Sequence, residues 1–91
     1  MPLSRFDIVA RADPQVLTRL LNHFAQLGLL PSRVKATEAD GLVRMRIEQP
    51  DLDEQKARII AEKIQSSVLV EAIRIYRGRR LLTCPGGGGD R

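Results

Sequence analysis

The chain is poor in the side chains that most often carry chemistry. Its 91 residues include one histidine, one cysteine and no tryptophan, and aromatic residues make up only 3%. A lone cysteine, Cys84, excludes an internal disulfide. Without a histidine pair, a Cys-x-x-Cys motif or clustered carboxylates at ligand spacing, no metal site is expected. No apolar run approaches the length of a membrane span, and the stretch from Met1 to Gln15 lacks the apolar centre of a secretory signal. A cytoplasmic protein with no membrane contact is therefore expected.

Catalysis finds equally little material. His23 sits beside an apolar helical stripe, with no nucleophile at helical spacing from it, so it reads as a partly covered polar residue. Cys84 falls in a segment without periodicity, where no fixed base or oxyanion hole activates it. The glycines Gly86 to Gly89 precede neither Lys-Ser nor Lys-Thr and open no helix, so they are not a phosphate loop. No catalytic residue, metal ligand or cofactor is assigned, and the chain reads as a non-enzyme.

What is present suits a small folded module. Hydrophobic residues at 43% and charged residues at 29% fit a globular domain and are too apolar for a disordered chain. At this length, roughly 60–65% of the unfolded chain's surface is buried on folding, so the core is marginal without association. The net charge of +4 suits nucleic acid, an anionic surface or an acidic protein, and chooses between none of them.

Residues 4–12 alternate as a strand, with Phe6, Ile8 and Ala10 on one side and Arg5, Asp7, Val9 and Arg11 on the other. Asp13 suits an N-cap and Pro14 the first helical position. Leu17, Leu20, Leu21, Phe24 and Leu27 then form one helical face, closed by Gly28 and Pro31. A second strand over 32–38 places Val34 and Ala36 inward, with Arg33, Lys35 and Thr37 outward. Asp40-Gly41 marks a hairpin. The third strand, 42–48, sets Val43, Met45 and Ile47 against Arg44, Arg46 and Glu48, and Pro50 ends it. Asp51, with Glu54 three residues on, reads as the cap of a second helix buried through Leu52, Ile60, Ala61 and Ile64. A last strand over 70–77 turns Ile73 and Ile75 inward.

This βαββαβ order predicts an α+β ferredoxin-like plait: a four-stranded antiparallel sheet with two helices on one face. The domain spans 1–77, and periodicity stops at Gly78, so 78–91 reads as a disordered tail. The 32–38 strand is expected at a sheet edge, where Arg33, Val34, Lys35 and Ala36 invite pairing with a second copy.

Two surfaces are candidates for binding. The outward sheet face gathers Arg5, Arg11, Arg33, Lys35, Arg44, Arg46 and Arg74 against Asp7 and Glu48. Plaits that bind single-stranded RNA on this face stack bases on rings of the central strands. Here those positions hold Asp7, Val9, Arg44 and Arg46, and Tyr76 is the only outward ring. A solvated face, or one that docks an acidic protein, is the simpler reading, and nucleic acid is not the expected partner. The second surface is the strand-to-helix turn Asp13-Pro14-Gln15-Val16-Leu17. Free amides of a first helical turn hold a carboxylate, but plain capping by Asp13 and Pro14 accounts for these residues fully and is the favoured reading of the residues alone.

Phe6-Asp7-Ile8-Val9-Ala10-Arg11, followed by Asp13-Pro14-Gln15-Val16-Leu17-x-Arg19-Leu20-Leu21, resembles the ACT domain family of amino-acid metabolism. Gly28 and the strand Val70-Glu71-Ala72-Ile73-Arg74-Ile75 extend the likeness over residues 4–77. Within the family the chain is most similar to the short single-domain regulatory (small) subunit of acetolactate synthase, of branched-chain amino-acid biosynthesis. The resemblance implies a homodimer with sheets joined edge to edge, and a thiamine-diphosphate-dependent catalytic partner that also carries flavin and magnesium. Feedback-sensitive members have a glycine two residues before the first helical leucine. Gln15 stands there in this chain, after Pro14, so weak or no amino-acid feedback is expected. The alternatives are a free-standing ACT-like domain that binds a small ligand or dimerises, and an RNA-binding plait.

Overall fold

A computed structural model describes residues 3–82. Cys84 and the glycines of the expected tail lie outside that range. The chain runs β1 (Leu3–Arg11), α1 (Val16–Gln26), β2 (Arg33–Ala39), β3 (Leu42–Pro50), α2 (Glu54–Gln65), β4 (Val70–Arg77) and β5 (Arg80–Leu82). The strands form one antiparallel sheet in the order β2-β3-β1-β4-β5.

The plait is as expected, with one correction: the sheet has five strands, not four. Gly78, at φ 62°, turns the chain back on itself, and its amide donates to the Leu3 carbonyl at 3.0 Å. Leu82 then lies opposite Ile75 and is buried. The folded part therefore continues past residue 77. Three residues are too few to show alternation, so β5 left no periodic signal in the sequence.

Alternation builds the core. Phe6, Ile8 and Ala10 of β1 register against Ile47, Met45 and Val43 of β3 on the inner face. From the helices, Val16, Leu20, Phe24, Ala57, Ile60, Ala61 and Ile64 close over them. Phe6 and Phe24 meet edge to face, with ring centroids 5.2 Å apart, the geometry that ring quadrupoles favour. The buried line of α1 is Val16, Leu20 and Phe24 rather than one starting at Leu17, which is exposed; Leu21 and Leu27 are half-buried at its margin.

Both caps sit two residues later than expected. Gln15, not Asp13, precedes α1. Asp53, not Asp51, caps α2, its carboxylate accepting from the Lys56 amide at 2.8 Å. Asp51 instead takes a left-handed turn at φ 58°, which puts Leu52 into the core. Asparagine and aspartate tolerate that conformation better than other non-glycine residues.

Candidate functional site

The β1–α1 turn leaves the sheet through two anchors. The Arg11 amide donates to the Leu69 carbonyl at 2.8 Å, and the Ala12 amide to the Gly41 carbonyl at 2.9 Å. Asp13 then organises the turn through both of its acceptors. Its carboxylate takes the Gln15 amide at 2.8 Å and its carbonyl takes the Val16 amide at 3.0 Å. Pro14 has no amide to offer. Of the five residues expected to line a ligand turn, three thus have a first-turn donor consumed or missing. Val16 points into the core, while Pro14, Gln15 and Leu17 are exposed and Asp13 is half-buried.

The Gln15 side chain is committed as well. Its Oε1 accepts from the Arg19 guanidinium at 2.9 Å, one helical turn on. Among the described residues, the amides of Leu17 and Thr18 make no hydrogen bond to backbone or side chain. These two donors, with the positive end of α1 behind them, are what the turn leaves for an anion.

β2 lies at one end of the sheet, and each of its residues is exposed. Val34 and Ala36 point to the helix-bearing side, opposite Ile47 and Met45 in register. Yet neither helix extends over them: Ile47 is 0% exposed and Val34 is 43% exposed. Leu30, 85% exposed, precedes the strand. Arg33, Val34, Lys35 and Ala36 therefore form an uncovered border, apolar toward the helices and basic on the other face.

The open face of the sheet carries the basic residues in the expected alternation. Asp7 receives Arg46 at 3.1 Å and Arg5 at 3.4 Å, and Arg5 also lies over the Tyr76 ring, 4.3 Å from its centroid. Arg11 pairs at 2.9 Å with Glu71, an acid on β4 absent from the expected set for this face. One face of Tyr76, on β4, is thus occupied by a guanidinium, and β1 and β3 present no ring on this face for base stacking.

His23, on α1, titrates below the ordinary histidine value of 6.5 because partial burial disfavours its cation, with the Lys63 charge adding to the effect. No described nucleophile bonds to it. Among the described residues no group of metal-ligating side chains converges, and no helix is long and apolar enough to cross a membrane.

A family model described as an ACT-like domain matches residues 2–80. The ACT domain from GTP pyrophosphokinase of Chlorobium tepidum is similar in structure at a TM-score of 0.71 and 11% identity, covering 81% of this chain and 96% of that one. The C-terminal domain of the MgtC protein from Mycobacterium tuberculosis superposes at 0.69 with 9% identity, over 90% of this chain and 93% of that one. Protein TM1266 from Thermotoga maritima gives 0.69 at 6% identity, over 85% and 98%. At these identities the structural likenesses speak for the fold alone. No curated protein matches the sequence.

Proposed function

The chain belongs to the ACT-like domain family, a family of small-ligand-binding or regulatory domains, and on that premise we propose that it is a non-catalytic regulatory subunit resembling that of acetolactate synthase. It acts by binding a thiamine-diphosphate-dependent catalytic subunit, as a homodimer joined through β2. The observation that carries this reading is the bare β2 border. A long edge strand with unpaired backbone groups and uncovered Val34 and Ala36 gains burial only when another chain adds to it.

The self-capped turn supports the absence of strong amino-acid feedback. With Asp13 satisfying Gln15 and Val16, an effector carboxylate has only the Leu17 and Thr18 amides to bind. Valine, leucine and isoleucine are expected to bind no tighter than about a millimolar constant, ~4 kcal/mol.

Co-expression with an acetolactate synthase catalytic subunit tests the reading. Co-purification together with raised or stabilised activity supports it. A dimer that neither binds that subunit nor alters its activity supports the second reading, a free-standing ACT-like domain. That second reading is favoured by the unpaired Leu17 and Thr18 amides, which suit a small anionic ligand.

A further inference from the structure

The open sheet face is not flat. A concavity of about 610 Å³ lies across β2, β3, β1 and β4 on the side away from the helices. It is broad and open to solvent, with a volume in the range of small-molecule sites. Two rows of side chains line it. In one row Lys35, Arg46, Asp7 and Arg74 stand side by side across the four strands. In the next row Thr37, Arg44, Val9 and Ala72 do the same, and the short Val9 and Ala72 side chains leave the hollow between longer neighbours.

The charges in this hollow are divided. Asp7 stands between the two sides, 29% exposed, and is occupied by Arg46 and Arg5. Lys35, Arg44 and Arg74 form no ion pair among the described residues. Lys35 and Arg44 lie on one side of Asp7 and Arg74 on the other. From β3 to β4 is two strand spacings, about 10 Å. One compact anion centred in the hollow would meet the Asp7 carboxylate. Two anionic groups, one at each end of a short uncharged spacer, reach both sets of cations and leave Asp7 Oδ2, the oxygen that neither Arg5 nor Arg46 engages, to accept from hydroxyls in the middle.

We propose that this concavity is a binding site for a small two-ended anion, a phosphate or carboxylate at each end of a neutral, hydroxyl-bearing spacer the size of one sugar unit. Lys35 and Arg44 hold one end, Arg74 holds the other, and Val9 with Ala72 forms the floor. The site is separate from the β1–α1 turn, lies on the sheet face opposite the inner side chains of β2, and depends on no part of the subunit reading.

Calorimetry on the full chain at low salt, with fructose 1,6-bisphosphate as probe and fructose 6-phosphate and inorganic phosphate as comparisons, tests the site. The bisphosphate should bind at least about tenfold tighter than either, a difference of ~1.4 kcal/mol. Arg74→Ala should bring the bisphosphate down to the level of the monophosphate, while Arg44→Ala weakens both probes. Both variants change exposed side chains and should keep the parent melting temperature. Equal affinity for the three probes, no measurable binding, or a bisphosphate advantage that survives Arg74→Ala would each overturn the proposal. So would a single-stranded oligonucleotide or an acidic peptide that displaces the bisphosphate at lower concentration, which would mark the hollow as part of a macromolecular surface.

Discussion

One row of the inner face contains both a covered and an uncovered half of the same sheet. Ile47 and Val34 are direct cross-strand neighbours pointing the same way, yet the first is fully buried and the second 43% exposed. Between them the helical layer ends. Over β1, β3 and β4 it excludes water from a packed core; over β2 it is missing. Amino-acid type does not separate these two positions, since both are β-branched and apolar. Their difference is one of cover, and the cover left unfilled at β2 is where association has most to gain.

The sharpest way to break this comparison is to truncate both members. Ile47→Ala should cost about 2–5 kcal/mol in urea unfolding, the usual range for emptying a packed site. Val34→Ala should stay within about 0.5 kcal/mol for the isolated protomer. Equal losses at low protein concentration would mean that the border of the helical layer lies elsewhere.

Reversing the character of the uncovered position comes next. Val34→Lys should raise the dimer dissociation constant at least about tenfold, ~1.4 kcal/mol, as read by light scattering across a dilution series, with protomer stability retained. A parent protein that is monomeric at micromolar concentration would remove β2 pairing altogether.

The covered half also depends on how its helices are held. Asp53→Ala deprives the Lys56 amide of its acceptor and should cost about 1 kcal/mol. Because α2 belongs to the covered half, dimer affinity should be unchanged when stability is matched. A loss of pairing as large as that of Val34→Lys would show the two halves to be one cooperative unit.

The smallest effect is that of pH. Burial lowers the His23 pKa in the fold, so the unfolded chain takes up the proton first. This contribution is complete above the ordinary value of 6.5 and is lost as pH falls below it. The side-chain bond from Arg58 to Glu54, with the charge of Arg58 behind it, lowers that carboxyl, which likewise contributes above 4.5 and less in acid. Urea midpoints should therefore fall slightly from pH 7.5 to 5.5, and His23→Gln should flatten that interval. A midpoint that rises on acidification would contradict the partial burial of His23 and, with it, the lesser effect of Lys63.

Much of this architecture was legible beforehand. Period-two alternation in β1, β3 and β4 assigned inner and outer faces, and the Asp40-Gly41 hairpin fixed β2 beside β3. The stripe through Leu20 and Phe24 fixed the face of α1. Caps were legible only in kind: an aspartate satisfies whichever amide the turn brings near, and sequence does not choose between Asp51 and Asp53. The basic face was visible as a set of residues, but the concavity was not, because it depends on which side chains meet across the strands, with the short Val9 and Ala72 in register.

The sequence by itself determined the order of elements, the partition of each strand into an apolar and a basic side, and the helical faces, because these follow from dihedral and side-chain periodicities within a few residues. Only the tertiary structure decided that the helical layer stops short of β2 and that Arg80 to Leu82 joins the sheet. It also decided that Asp7 divides the cations of the open face. Each of these is a matter of lateral position or competition for a hydrogen bond between groups already in place, and neither leaves a period in the chain.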